Sequence, residues 1–175
     1  MSAPLLLFIQ LVFLVTFATF AVFAFFYFLS IIIGAPYVPT PQKYIDIMFE
    51  FANLKKGESF MDLGCGDGRV VIAAAKIGAK AYGVEINPFL YLLSKFNIQK
   101  NGVGKGAQVF LSNLYSVDFS KYDIIFVAGF MDMMGRIEEV FNKKVKKGTR
   151  VICYPFPLPH KKAVKIKTGI YKYIY

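Results

Sequence analysis

No charged residue occurs before Lys43 in this chain of 175 residues, tryptophan is absent, histidine occurs once, at His160, and cysteine twice, at Cys65 and Cys153. Two cysteines without a spacing pattern, beside one histidine, exclude a disulfide framework and a Cys/His zinc site, so no metal is expected and a reducing compartment is compatible. Acidic residues are also scarce: 11 against 21 Lys and Arg, a formal net charge of +10. All of that charge lies beyond residue 42, with lysines concentrated at 143–147 and 161–172. A basic face of this kind suits anionic lipid or nucleic acid. The clusters carry no nucleic-acid motif, so a bilayer is the expected partner and nucleic acid is not.

What the first third has instead is an apolar run. Residues 5–33 are interrupted only by the uncharged Gln10, Thr16, Thr19 and Ser30. That exceeds the roughly 20 residues a helix needs to cross a bilayer. A cleaved signal peptide would need a basic start and a shorter apolar core, and a presequence would be Arg-rich and amphipathic; neither fits. The expectation is a single-pass anchor over 1–34 and one folded domain over 35–175. Lys43, Lys55 and Lys56 follow the span, so the positive-inside rule places the domain in the cytosol or its equivalent.

In the remainder, strand and helix signals alternate. Prolines 36, 39 and 41 make 35–41 a stiff linker, and Thr40-Pro41 has the pattern of an N-cap and first turn for a helix to about Ala52. Residues 59–63 read as a strand, 70–77 as a helix stopped by Gly78, and 80–85 as a second strand. Asn87-Pro88 caps a helix to about Lys100. Strands follow at 109–111 and at 122–128, the latter apolar enough to be central in a parallel sheet. Next come a helix over 133–145, a strand over 150–154, and a hairpin of 164–167 with 170–174 turning at Thr168-Gly169. This is the pattern of an α/β protein: a Rossmann-like, doubly wound, mostly parallel sheet in a three-layer αβα sandwich. Its crossovers should be right-handed and its ligand site should lie at the carboxyl ends of the strands.

The segment Asp62-Leu63-Gly64-Cys65-Gly66-Asp67-Gly68-Arg69 joins the first strand to the first helix of this alternation, and Glu85 ends the second strand. Glycines there permit a tight turn and close approach of a ligand to backbone. A carboxylate at the second strand's tip can accept from ribose hydroxyls. A dinucleotide fingerprint would place Gly or Ala where Arg69 stands, and a pyrophosphate would be repelled by Asp62 and Asp67. The carboxylates suit a cationic nucleoside such as S-adenosylmethionine, with its sulfonium and ammonium groups. The alternatives are turn capping for Asp62 and Asp67 and a solvated strand end for Glu85.

The D-L-G-C-G-D-G segment resembles the first motif of class I S-adenosylmethionine-dependent methyltransferases, and Val84-Glu85-Ile86-Asn87-Pro88 resembles their acidic second-strand motif. A narrower resemblance adds Pro36-Tyr37-Val38-Pro39-Thr40-Pro41 and Pro155-Phe156-Pro157-Leu158-Pro159-His160. It is to the membrane-anchored protein-lysine methyltransferases that modify the c-subunit of mitochondrial ATP synthase and the adenine nucleotide translocase, and to their prokaryotic relatives. The resemblance implies lysine N-methylation of a membrane protein with S-adenosyl-L-homocysteine as product. It places the chain in the prokaryotic cytoplasmic membrane or, in a eukaryote, the mitochondrial inner membrane. It assigns cofactor contacts to Asp62, Gly64, Cys65, Gly66, Gly68, Glu85, Ile86 and Asn87, with Pro39 and Thr40 covering the methionine end. The chain departs from the family in having Asn113 where an acidic residue is usual and Met131-Asp132 in place of Pro-Gln.

Asn113 and Leu114, after the third strand, are candidates for the adenine, against a plain turn. On the acceptor side stand Phe130, Met131 and Asp132, after the fourth strand. Asp132 either orients an incoming amine or caps the helix from Met133, and the cap is the preferred reading. His160, alone among prolines, is read as solvated rather than as a general base. Other acceptors remain open, a lipid, a quinone or another hydrophobic small molecule, as does a non-catalytic cofactor-binding membrane module.

Overall fold

The computed structural model describes residues 3–33 and 37–175. It divides into two compact units, residues 1–36 and 37–175. The expected linker falls partly outside the described residues, at 35 and 36.

The first unit is one helix, α1 (Ala3–Ile33). Its segment Ala3–Phe28 has a mean hydropathy of 2.6 and is long and apolar enough to cross a membrane. Its threonines do not leave hydroxyls unpaired: Thr16 donates to the Val12 and Phe13 carbonyls and Thr19 to that of Val15. Such back-bonding satisfies a polar side chain without water.

The second unit runs α2 (Gln42–Ala52), β1 (Ser59–Leu63), α3 (Arg69–Lys76), β2 (Lys80–Glu85), α4 (Pro88–Lys100), β3 (Ala107–Leu111), β4 (Ile124–Ala128), α5 (Met131–Lys144), β5 (Arg150–Tyr154), β6 (Lys165–Lys167) and β7 (Ile170–Ile174). These strands form one seven-stranded sheet in the order β3-β2-β1-β4-β5-β7-β6. The first five are parallel, and β7 is antiparallel to both β5 and β6. The order reverses between β1 and β4, so the crevice at their carboxyl ends is the switch point where such sheets take ligands.

β4 is the central strand, and both of its faces are covered. Ile124 and Phe126 join a core with Ile45, Met48, Phe60 and Val71, from α2, β1 and α3. Ile125 and Val127 are equally buried and, by the period of two, point to the opposite face. There α5 supplies Met134, Ile137 and Phe141, the last meeting Phe119 edge-on at 5.2 Å between centroids. The carbonyls at the end of α2, which have no partner within the helix, are held from the sheet. Arg150 donates to those of Ala52 and Asn53, and Lys172 to that of Phe51.

Besides one- or two-residue differences at α3, β3, β6 and the end of α5, three boundaries differ from the sequence reading in ways that bear on the site or the central strand. Thr40 is not the N-cap of α2: Pro41 occupies that position and its carbonyl accepts from Tyr44 and Ile45, while Thr40 is buried upstream. α5 begins at Met131, with Phe130 at the cap position, so Asp132 lies inside the first turn and does not cap. Its charge there still favours the helix dipole. β4 starts at Ile124, because residues 119–121 form a short 3-10 turn capped by Asp118. The final hairpin turns as expected, with Thr168 and Gly169 at φ 51° and 75°.

Candidate functional site

The carboxyl ends of β1 and β2 lie side by side, with Asp62 opposite Gly83 and Leu63 opposite Val84. From Leu63 the chain turns through Gly64, Gly66 and Gly68, at φ 80°, 55° and 82°, into α3. The turn is fastened to β2 from two directions. The N–H groups of Gly64 and Cys65 both donate to the Val84 carbonyl at 2.9 Å, and that of Gly66 donates to Glu85 Oε2, also at 2.9 Å. Glu85 Oε1 accepts from Ile86 and Asn87 at 2.9 and 2.8 Å. The Glu85 carboxylate therefore organises three backbone donors around the junction. Asn87 then caps α4, accepting from Phe89 and Leu90.

Asp62 is buried, 3% exposed, and its carboxylate accepts no hydrogen bond from the described residues. Burial, and then the charges of Glu85 and Asp67, push its pKa up to about 8. Asp67 behaves in the opposite way. Although burial opposes it, hydrogen bonds from Arg69 hold its carboxyl below the ordinary range, the guanidinium lying 2.8 Å away. Asp67 is thus already paired with Arg69, and Asp62 and Glu85 are the carboxyl groups of the acidic set that have no cation beside them among the described residues.

The glycines differ in what surrounds them. Nothing lies within 4 Å of where a Gly64 Cβ would stand, whereas one on Gly66 would meet the Tyr37 ring at 2.5 Å. Tyr37 therefore lies against the turn, and its hydroxyl accepts from Arg69 at 3.5 Å. A Cβ on Gly68 would meet Ser94 of α4, so that glycine serves helix packing. The Cys65 side chain is buried against Gly83, where any side chain on residue 83 would collide with it. Burial and the nearby carboxylates push its thiol well up, which makes it a poor nucleophile.

Around this centre stand the other predicted residues. The β3 end is drawn to Glu85 by the Ser112 N–H, which donates to the Glu85 carbonyl at 3.0 Å. Asn113 caps a 3-10 turn that begins at Leu114: its Oδ1 accepts from Tyr115 at 3.0 Å. Its amide nitrogen donates to none of the described residues. Thr40 is buried and Pro39 exposed in the stretch after Tyr37. Phe130, Met131 and Asp132 are all exposed, at the start of α5 just beyond β4. His160 is exposed, and its backbone N–H and Nδ1 both lie against Glu138 Oε2, at 2.9 and 3.2 Å. That anchors the loop after β5 to α5 and leaves the ring exposed.

Sequence reasoning missed Tyr37 as a contact of the glycine turn, and the Asp67–Arg69 pairing. The second was signalled by the two-residue spacing of opposite charges, and the first by nothing stronger than its place beside Pro36. It also missed Asn97, whose amide donates to the Asp67 carbonyl at 2.9 Å and ties α4 to the turn.

The family described as ANTKMT methyltransferase domain matches residues 62–165, from the buried Asp62 to the start of β6. The chain belongs to this family. Among relatives of this methyltransferase-family chain, the protein-lysine N-methyltransferase of Saccharolobus islandicus is 35% identical over 146 residues, covering 81% of this chain and 91% of the archaeal one. The human ATP synthase c-subunit lysine N-methyltransferase is 38% identical over 125 residues, covering 71% of this chain and 53% of the human protein. The chain thus spans about half the length of the human relative. Among solved structures, an RNA methyltransferase from Salinibacter ruber in complex with S-adenosyl-L-homocysteine superposes with a TM-score of 0.76 at 26% identity, covering 78% of this chain and 93% of that one.

Proposed function

We propose that the chain is an S-adenosylmethionine-dependent protein-lysine N-methyltransferase, anchored by residues 1–34 and acting on a lysine of a membrane protein through the domain of residues 35–175. The observation that carries the cofactor is the buried, unpaired Asp62 carboxyl beside Glu85 and the open space over Gly64. That donor set fits a ligand with cationic and hydroxyl groups, and it would repel a pyrophosphate. The names of the archaeal and human relatives support lysine as the acceptor.

Within this reading Glu85 holds ribose and Asp62 faces the cationic end. Glu85 has room for about one further bond, since a carboxylate offers roughly four lone pairs and three are taken, two of them at Oε1. The first ribose hydroxyl therefore donates to Oε2, and a second would displace the Gly66 N–H. Leu114 and the uncommitted amide of Asn113 are assigned in this reading to the adenine, and Pro39 and Thr40 to the methionine end.

The cofactor when bound supplies a methyl group already activated on a sulfonium. What remains for the protein is to bring a neutral amine into line with it, which is catalysis by orientation. An ordinary lysine, of pKa about 10.4, costs roughly 4 to 5 kcal/mol to neutralise at pH 7. Apolar surroundings lower that cost, because desolvation disfavours the ammonium. Phe130 and Met131, exposed beyond β4, are the side chains proposed to receive the lysine stem, and Asp132 is placed to orient the amine before it loses its proton.

The experiment is a calorimetric titration of the full chain with S-adenosylmethionine, followed by incubation with methyl-labelled cofactor and membranes. Binding with label in protein lysine is the expected result. Label in the organic phase would transfer the activity to a lipid or quinone, label in RNA would transfer it to nucleic acid, and binding without transfer would leave a cofactor-binding module.

A further inference from the structure

Helix α4 has an apolar side that the sheet does not use. Ser94 and Ile98 are buried toward the core, but Leu92, Leu93 and Phe96 are 60%, 43% and 60% exposed. Spaced at three and four residues, Leu92 and Phe96 line up along the outer side of the helix with Leu93 beside them. The neighbouring strand β3 ends the sheet, and among the described residues no strand pairs with its outer side. It adds Leu111, 52% exposed, which by the period of two lies on the same face as Val109, packed in the core with Ile98 of α4. An open cleft of about 550 Å3 separates strand from helix, with Lys95 on its rim. Apolar side chains grouped on a surface in this way mark a binding face.

The charge of this edge selects the occupant. From residue 86 to residue 117 there is no Asp or Glu, while Lys95, Lys100 and Lys105 fall in that stretch, all three exposed. Lys95 flanks the apolar row, its ammonium 5.5 Å from the Tyr91 ring centre, and Lys100 ends it. Apolar residues bordered by cations, without acidic residues, are what an interfacial helix presents to anionic lipid. An acidic protein partner would satisfy the lysines but not the row of Leu and Phe.

We propose that the α4–β3 edge is a lipid-docking face, which rests Leu92, Leu93 and Phe96 at the boundary of headgroups and acyl chains in an anionic bilayer. The inference rests on the anchor reading only for keeping a bilayer within reach. Docking would hold the domain in a fixed attitude to the membrane surface, so that substrate lysines close to that surface are presented in a restricted orientation.

The native cysteines are buried, Cys65 at 5% and Cys153 at 0%, so a new surface cysteine can be labelled selectively. The full chain carrying Leu92→Cys with a polarity-sensitive fluorophore is placed in nanodiscs at one copy per disc. Phosphatidylserine discs should shift its emission to shorter wavelength relative to phosphatidylcholine discs, and spin-labelled lipid should quench it. Leu93→Cys provides a second site with the same expectation. Adding Lys95→Ala and Lys100→Ala to the Leu92→Cys chain should reduce the docked-to-free ratio about fivefold per lysine. An emission at positions 92 and 93 indifferent to anionic lipid, in discs that retain the chain, overturns the docking face and leaves the anchor standing. A shift that grows with the number of copies per disc and ignores lipid charge overturns it in favour of a second copy. A chain that leaves the discs contradicts the anchor instead, and docking is then read from the shift on adding phosphatidylserine vesicles to the same labelled chain.

Discussion

Asp62→Asn removes the buried carboxyl in the site that no hydrogen bond from the described residues supports, and its effect can be worked out from the geometry. In the folded chain burial, reinforced by Glu85 and Asp67, raises Asp62 to about 8, against about 3.9 in an unfolded chain. Ionising it in the empty site therefore costs on the order of 5 kcal/mol. The folded state binds the extra proton, so this stability is fully present below about pH 4 and is lost as pH rises toward 8. Asp62→Asn should flatten that slope. A cationic cofactor reverses the preference by stabilising the carboxylate. At pH 7 a group of pKa 8 is about 90% protonated, so binding should expel close to one proton. The ammonium of the cofactor itself, an α-amino group of pKa about 7.7 to 8.0, is mostly charged already and takes up little. Calorimetry in buffers of different ionisation enthalpy reads the proton count directly. Release of about 0.9 proton in the native chain and almost none in Asp62→Asn is predicted; equal release in the two would refute the assignment.

Three further substitutions test the surrounding turn, and a fourth the acceptor side. Gly66→Ala drives a Cβ into the Tyr37 ring at a positive φ, so it should lower stability by about 1 to 2 kcal/mol in denaturant unfolding. Gly64→Ala, with nothing to collide with, should cost about 1 kcal/mol and weaken cofactor binding more than it lowers the melting temperature. Glu85→Ala leaves the N–H groups of Gly66, Ile86 and Asn87 without their acceptor; a loss of about 2 to 4 kcal/mol, seen as a lower unfolding midpoint, is predicted alongside weakened binding. Asp132→Asn, exposed in the first turn of α5, should change stability by less than about 1 kcal/mol while lowering kcat, and an unaltered kcat would remove Asp132 from the acceptor side.

The order of elements was legible because each depended on a local signal. Glycines bounded β1 and β2, Asn87-Pro88 opened α4, and an unbroken apolar run at β4 marked the strand that the structure places at the centre. The start of α5 was not legible. Asp is a strong cap former, yet the helix begins two residues earlier because Met133 and Met134 must turn inward against the sheet and Phe130 is left at the boundary. Propensity at a single residue yielded to packing of the face.

At the site, the residue types announced the turn and its acidic partner, but not how the charges are shared. Asp62 and Asp67 look alike in sequence. One is sealed in beside Glu85 and the other is neutralised by Arg69. That division depends on which way each side chain leaves the strand and the turn, as does the contact of Tyr37 with Gly66. Long-range placement of this kind follows from the assembled fold and not from the motif. The apolar outer side of α4 was present in the sequence as Leu92, Leu93 and Phe96, but a helix of a globular core has the same residues. Only the exposed edge distinguishes them.

The most direct test of the central claim follows the methyl group. The full chain is incubated with methyl-labelled S-adenosylmethionine and membranes, and the protein fraction is digested and examined for methylated lysine. Label is expected in lysine of a membrane protein, and less of it when Asp62→Asn or Glu85→Ala weakens cofactor binding. Label confined to lipid or RNA, or binding of the cofactor with no transfer at all, would contradict the central claim.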